Sequence, residues 1–224
     1  MGIISRDIYK DWYSNEYQSN RVESVFGKSR EEVLDFIESL PLKSSIIELG
    51  CGDGRNINEM LKRGLCVTGV DLIDKNLLNK FFGNNQFSYI QKDIKSMDLL
   101  GNEYSALLCS EVLHMFTKEE IVNILRKSML SIESNGYIFV DILSDLSRFF
   151  TKTKEPFKWD KEAFFSIENS EELLLDIFSD WNILKIGYRY DKQSWSIGDS
   201  QELPIEPYTW EGTYVYIIAQ KVTK

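Results

Sequence analysis

The chain has 224 residues, and its 26 basic and 35 acidic side chains give a formal net charge of −9. This length suits one domain that buries its core without disulfides or a metal, and we predict no metal site. The negative charge repels phosphate backbones, which disfavours DNA and RNA as partners. The three cysteines form no CxxC pair, and no apolar run approaches the roughly 20 residues that span a bilayer. We therefore expect a cytoplasmic protein that does not enter a membrane.

Two helices are predicted before the first strand. In residues 6–20, tyrosines recur at a spacing of four beside other apolar side chains, which indicates an aromatic helix. Ser29 and Glu32 form a capping-box pattern that begins a second helix, and Pro41 ends it. The aromatic helix either packs on the core or closes over a ligand as a lid.

Apolar strands and amphipathic helices then alternate. Asp74 is predicted to cap a short helix that ends at Gly83, and Thr117 with Glu120 to cap a long one that ends at Gly136. Such alternation is typical of parallel strands buried between two helix layers, so the fold class is α/β, doubly wound. The predicted strands cover residues 44–50, 66–72, 87–94, 104–111 and 137–143.

The last third of the chain has a different pattern. A polar, aromatic stretch is followed by a helix capped by Asn169 and Glu172, and then by two strands without a helix between them. Strands joined in this way form an antiparallel pair. We divide the single domain, 1–224, into an N-terminal helical region (1–40), a ligand-binding core (44–143), a substrate-side insertion (144–168) and a C-terminal helix with antiparallel strands (169–221).

The connection after the first predicted strand of the core carries three glycines, Gly50, Gly52 and Gly54. Glycines allow positive φ angles and let a ligand lie against the backbone, and ligands of open α/β sheets bind at the carboxyl ends of the strands. Asp71 ends the next strand, where a carboxylate can accept hydrogen bonds from the hydroxyl groups of a ribose. An adenosine-containing ligand is predicted. Arg55 follows the last glycine, so the spacing departs from the GxGxxG pattern of dinucleotide sites.

The GxGxG spacing, with Glu48 two positions before its first glycine, resembles motif I of the class I S-adenosylmethionine-dependent methyltransferases. Residues 67–72 (VTGVDL) look like motif II of that family, residues 91–94 (QKDI) are similar to the motif after its third strand, and residues 107–116 (LLCSEVLHMF) to its fourth-strand segment. The resemblance implies a Rossmann-like, mostly parallel sheet with an antiparallel C-terminal strand, and S-adenosylmethionine as cofactor.

The resemblance also implies cofactor-binding residues. By it, Asp71 holds the ribose, Asp93 receives the adenine amine, and the Ile94 N–H faces the adenine ring. Glu48 supports either the glycine segment or the amine of the methionine moiety. The full set is Glu48, Gly50, Cys51, Gly52, Gly54, Asn56, Asp71, Leu72, Asp93, Ile94, Ser110, Glu111 and, from the aromatic lid, Tyr13.

Two residues are candidates for a general base. His114 is the only histidine and follows the fourth core strand, and Asp141 lies among apolar residues that would raise its pKa. For each, a structural role is the alternative. Arg189, Tyr190, Trp195 and Trp210 are candidates for exposed-loop residues of a substrate wall, suited to an aromatic or cationic acceptor.

The predicted function is methyl transfer from S-adenosylmethionine to a small molecule, as in the tellurite-resistance or thiopurine type of enzyme that the sequence resembles. The alternatives are a protein methyltransferase, a non-catalytic subunit that binds S-adenosylmethionine, and a nicotinamide-dependent oxidoreductase. The spacing of the glycines counts against the last of these.

Overall fold

The computed structural model describes residues 2–5, 24, 27–97, 104–160, 162–195 and 206–223; the side chain of Trp195 is outside this description, as are Tyr13 and the predicted helix over 6–20. The strands are β1 (Gly2–Ile4), β2 (Ser45–Leu49), β3 (Cys66–Asp71), β4 (Phe87–Gln91), β5 (Tyr104–Cys109), β6 (Ile132–Phe150), β7 (Phe157–Trp159), β8 (Trp181–Trp195) and β9 (Tyr208–Lys221). The α-helices of these ranges are α1 (Glu31–Ser39), α2 (Arg55–Lys62), α3 (Lys118–Met129) and α4 (Ile167–Ile177).

The main sheet has the strand order β4-β3-β2-β5-β6-β9-β8. Strands β4 to β6 in this order are parallel, and β9 is inserted antiparallel between β6 and β8. Strand order reverses between β2 and β5, which is the place where open α/β sheets bind ligands. The mostly parallel sheet with an antiparallel C-terminal strand is confirmed.

Helices cover both faces of this sheet. On one face α1 and α2 bury Phe36 and Ile57, and the Phe36 ring packs on Phe139 of β6 with centroids 5.7 Å apart. On the other face α3 and α4 bury Ile124 and Leu174. The doubly wound arrangement follows from these two apolar layers. Among the described ranges, every helix is too short or too polar to cross a membrane.

Two predicted helix starts are confirmed and two differ. Asp74 caps its short helix, because its carboxylate accepts from the Asn76 N–H at 2.8 Å. The capping box of α3 is present, because the Thr117 hydroxyl accepts from the Glu120 N–H and the Glu120 carboxylate accepts from the Thr117 N–H. The box predicted for α1 is wrong, since Ser29 donates instead to the carbonyl oxygen of Arg55. Helix α4 begins earlier than predicted, after Ser166, whose hydroxyl accepts from the Asn169 N–H.

The strands also differ from prediction where long-range pairing extends them. Helix α3 ends at Met129 rather than Gly136, and β6 runs from Ile132 to Phe150 instead of over 137–143. Its last residues pair with β9, so part of the predicted insertion is a strand. Likewise β1, which lies in the N-terminal region predicted to be helical, is a strand that pairs with β7. The helix after Asp74 is a short 3₁₀ turn that ends at Leu78.

Gly54 is a position where this fold tolerates a side chain poorly. It precedes α2 with φ +84°, and a Cβ atom there would lie 2.2 Å from Cε2 of the buried Phe81. Gly54→Ala should therefore lower the free energy of unfolding by about 2–4 kcal/mol, through left-handed strain and overpacking. Urea denaturation measures the change.

Gly64 provides the matched control. Its φ is +81°, but no atom of the described residues lies within 4 Å of a Cβ placed there. Gly64→Ala should cost only the strain, about 1–2 kcal/mol. An equal loss in the two variants would show that Phe81 makes room without cost.

Candidate active site

A cavity of about 480 Å³ opens at the carboxyl ends of β2, β3, β4 and β5 and continues between β6, β7 and β9. Of the predicted cofactor-binding residues in the described ranges, only Gly54 is not part of its lining. The lining residues on the side of β2 to β5, the cofactor half, are Glu48, Gly50, Cys51, Gly52, Arg55, Asn56, Asp71, Leu72, Ile73, Lys92, Asp93, Ile94, Lys95, Ser110, Glu111 and Val112.

The glycine segment is held against β3 by one carboxylate. Asp71 accepts from the Gly52 N–H at 2.9 Å with Oδ2 and from the Leu72 N–H at 2.7 Å with Oδ1. Burial raises the pKa of Asp71, and these N–H groups act against the rise. Gly50 has φ +71°, and its missing side chain makes room for Val112: a Cβ atom at Gly50 would lie 2.5 Å from Cγ2 of Val112. The segment and the acid are thus brought together, as predicted.

Glu48 and Asn56 form a buried pair beneath the glycine segment. The Asn56 amide donates to Glu48 Oε1 at 2.7 Å. Glu48 Oε2 and Asn56 Oδ1 are both buried and have no hydrogen-bond partner among the described residues. Burial raises the pKa of Glu48 to about 8. Two unpaired acceptors at the cavity wall suit a ligand that brings a hydrogen-bond donor, above all a cationic one.

The opposite end of the cofactor half is formed by the connection after β4. The Asp93 carboxylate caps a 3₁₀ turn by accepting from the Lys95 N–H at 2.9 Å with Oδ1. Ile94 is buried, and the Leu72 side chain is half exposed on the neighbouring connection. An acid beside two aliphatic side chains can bind a flat ring that has an amino group, which is compatible with the role that the resemblance implies for Asp93.

Glu111 joins three arginines that belong to different parts of the fold. Its carboxylate accepts from Arg30 Nε at 2.8 Å, from Arg55 Nη1 at 3.0 Å and from Arg189 Nη2 at 2.7 Å. Asp191 also accepts from Arg30 and Arg189. Burial raises the pKa of Glu111, but the three guanidinium groups outweigh it and lower that pKa to about 2. Glu111 is therefore always ionised at neutral pH.

Asp141 binds the backbone of Glu111 on the side away from the cavity lining. It accepts from the Ser110 hydroxyl at 2.6 Å and from the Glu111 N–H at 2.7 Å, and it is not part of the cavity lining. Burial raises the pKa of Asp141 to about 7. Glu111 has φ +59°, a left-handed conformation that costs a residue with a side chain about 1–3 kcal/mol. Asp141 holds that conformation, so its position fits a supporting role better than contact with a reacting atom.

His114 does line the cavity, on a 3₁₀ turn after β5. Its Nδ1 atom is buried and has no partner among the described residues. Burial, with a contribution from Arg148, lowers the pKa of His114 to about 3. The ring is therefore neutral at physiological pH, and its role as a base stays a prediction.

The other half of the cavity, called here the acceptor half, is mainly aromatic. It is lined by His114, Met115, Phe116, Leu143, Arg148, Trp159, Gln193, Tyr208, Trp210 and Tyr214. Most of these residues were not identified from the sequence, although aromatic side chains at every second position of 208–216, interrupted at Gly212, are a strand signal that was available.

Of the predicted substrate-wall residues whose side chains are described, Trp210 lines the cavity, and Arg189 and Tyr190 do not. Arg189 and Tyr190 lie in β8 and Trp210 in β9, so they are strand residues rather than loop residues. Arg189 is bound to Glu111, and the Tyr190 hydroxyl, which is exposed, donates to Glu211 at 2.9 Å. Trp195 belongs to β8, but its side chain is outside the described part.

Comparisons with known proteins agree with this geometry. Residues 46–136 match the family described as "Methyltransferase domain". Phosphoethanolamine N-methyltransferase 1 of Zea mays is 29% identical over 127 residues, which are 54% of this chain and 25% of that protein. The chain spans less than half the length of the curated relatives that it matches.

Two solved structures have the same fold. TehB from Haemophilus influenzae superposes with a TM-score of 0.63 at 17% identity, over 94% of this chain and 66% of that one. The 1,6-didemethyltoxoflavin-N1-methyltransferase of Burkholderia thailandensis, solved with 1,6-didemethyltoxoflavin and S-adenosylhomocysteine bound, has a TM-score of 0.63 at 14% identity, over 97% and 87%. Residues 46–136 thus match a methyltransferase domain, and the fold that surrounds them is shared with these two solved structures.

Proposed function

We propose that this protein transfers a methyl group from S-adenosylmethionine to a small-molecule acceptor. The observation that carries the proposal is that one cavity presents oxygen acceptors at three separate points: Glu48 with Asn56, then Asp71, then Asp93. S-adenosylmethionine has donors at three separate points as well, namely its ammonium group, its ribose hydroxyls and its adenine amine. The unpaired oxygens of Glu48 and Asn56 fit the ammonium group best.

The chain's contribution to the reaction is mainly positioning. In-line attack on the methyl group leaves a neutral sulfur, so no acid has to protonate the leaving group. Holding the two reactants at near-attack distance can supply roughly 7–11 kcal/mol of the barrier. His114 borders the acceptor half as a neutral ring, which can accept a hydrogen bond from the acceptor but takes up a full proton weakly.

A small-molecule acceptor is favoured by the shape of the acceptor half, which side chains of β6, β7 and β9 enclose. The names of two similar proteins also refer to methyl transfer to small molecules, phosphoethanolamine and 1,6-didemethyltoxoflavin. A protein acceptor and a non-catalytic role are not favoured, and neither is a nicotinamide oxidoreductase. The tellurite-resistance or thiopurine type and the cytoplasmic location stay predictions.

The first test is calorimetric titration of the purified protein with S-adenosylhomocysteine, with NADH as the control ligand. We expect micromolar binding of S-adenosylhomocysteine alone, because the three acceptor points match its donors. Binding of NADH instead would contradict the proposed cofactor.

The second test concerns the ribose contact. Asp71→Ala should weaken binding of S-adenosylhomocysteine by about 1.5–3 kcal/mol, roughly 10- to 150-fold, since a charge-assisted acceptor and an anchor of the glycine segment are lost. Asp74→Ala is the matched control: Asp74 is exposed on the next turn, and its carboxylate accepts only from the Asn76 N–H in the described structure, outside the cavity lining. Equal affinities of folded Asp71→Ala and Asp74→Ala would argue against the ribose assignment.

The third test concerns pH. Burial raises the pKa of Glu48 to about 8, while Asn56 and Arg55 lower it and Asp71 and Asp53 raise it. A ligand ammonium group favours ionised Glu48, so binding releases a proton below pH 8. Affinity for S-adenosylhomocysteine should therefore rise between pH 6 and pH 8, by up to about tenfold per pH unit.

Calorimetry in two buffers with different ionisation enthalpies would detect this proton directly. Glu48→Gln, which removes the titrating group and keeps its size, should flatten the pH dependence. The same slope in both proteins would assign the proton to another group.

A further inference from the structure

The acceptor half contains a buried ion pair whose role is not explained by folding alone. Arg148 lies near the end of β6, and Glu162 lies in the connection that leads to α4. Arg148 Nη1 donates to Glu162 Oε2 at 2.5 Å and Nη2 to Oε1 at 2.7 Å, with the side chains 6% and 1% exposed. Burying such a pair costs desolvation energy that two hydrogen bonds barely offset, so it is weak evidence for stabilisation.

This pair leaves one edge of the guanidinium group for a ligand. A guanidinium has five N–H donors in one plane, and Glu162 occupies the edge formed by the two terminal nitrogens. Within the described residues no partner is seen for the Nε–H of Arg148, and Arg148 lines the cavity. The charge of the guanidinium is meanwhile balanced by Glu162. Arg148 thus presents a directional donor without a net charge.

Apart from the Glu162 carboxylate, the cavity lining beside Arg148 consists mainly of aromatic rings. Its guanidinium carbon lies 5.9 Å from the centroid of the Trp159 ring, and Trp159 packs edge-to-face with Tyr208. Burial raises the pKa of Tyr208 to about 12 and lowers that of His114 to about 3, so both rings are neutral at physiological pH. Trp210 and Tyr214 complete the wall.

We propose that the Arg148–Glu162 pair selects the acceptor substrate: a neutral, planar ring compound that carries an uncharged hydrogen-bond acceptor, such as a ring carbonyl or ring nitrogen. The inference deepens the proposed function and rests on it. The aromatic wall stacks on the ring, and the Arg148 Nε–H donates to its carbonyl or nitrogen atom.

Charged acceptors fit this half of the cavity less well. A carboxylate bound to Arg148 would place a second anion beside Glu162 on a single cation, in a site with little water to screen them. A cationic acceptor would be repelled by the positively charged edge of the Arg148 guanidinium group. A neutral carbonyl gains a charge-assisted hydrogen bond without either repulsion.

Three indoles of similar shape provide the test: 3-acetylindole with a neutral carbonyl, indole-3-carboxylate with a negative charge, and 3-ethylindole with neither. Each is titrated calorimetrically into the protein saturated with S-adenosylhomocysteine. We expect 3-acetylindole to bind about tenfold or more tightly than either of the others, the effect of one hydrogen bond to a charged donor.

Arg148→Lys keeps the positive charge beside Glu162 but removes the guanidinium edge, so the preference for 3-acetylindole over 3-ethylindole should disappear. If this variant does not fold, the double variant Arg148→Met with Glu162→Met, which replaces the ion pair with apolar side chains, should show the same loss. Arg126→Lys is the matched control, because Arg126 is exposed on α3 and lies 3.8 Å from Asp176. This control should keep the preference.

The outcomes separate the two proposals. Tighter binding of the carboxylate, equal or undetectable binding of all three indoles, or an unchanged preference in Arg148→Lys would overturn the selection of a neutral acceptor. Affinity for S-adenosylhomocysteine should be the same in all these variants, since Arg148 lies outside the cofactor half. Failure of the unmodified protein to bind S-adenosylhomocysteine would instead contradict the proposed function.

Discussion

The arrangement of the site depends on the carboxylate of Glu111. It binds guanidinium groups from the residue before α1, from the first turn of α2 and from β8, which are otherwise distant in the chain. Because α2 begins at the glycine segment and β8 pairs with β9, this one side chain ties the cofactor half to the strands that carry the acceptor half. Asp141 holds its backbone in the left-handed conformation that this requires.

Buried ion pairs contribute little net stability, because desolvation consumes most of their attraction. The cluster of Glu111, Asp191, Glu32 and the three arginines is better understood as a device that fixes geometry. Its three acids balance its three bases. The cluster as a whole is consequently without net charge, so a ligand beside Glu111 and Arg55 is guided by shape and hydrogen bonds more than by long-range attraction.

The parts of this protein that the sequence predicts are those encoded by neighbouring residues. The glycine segment, Asp71 and the capping box of α3 each depend on a few consecutive positions, and each has its predicted structure. Contacts between distant residues explain the differences. Glu32 fits a capping box, but Arg189 of β8 binds it, and β6 continues past residue 143 because β9 offers a partner strand. The acceptor half depends on such pairings, and for this reason Arg148 and Tyr208 were not identified from the sequence.

The division of the cavity also fits the electrostatics of the proposed methyl transfer. The sulfonium of S-adenosylmethionine is a cation, and attack by a neutral acceptor spreads this charge over both reactants without creating a new one. Strong charges beside the acceptor would stabilise the ground state about as much as the transition state, so they would lower the activation barrier little. In an acceptor half of aromatic rings, whose guanidinium is balanced by Glu162, the charge can disperse over the two reactants. The unpaired acceptors of Glu48 and Asn56 lie in the cofactor half, where an ammonium group would occupy them before the acceptor reacts.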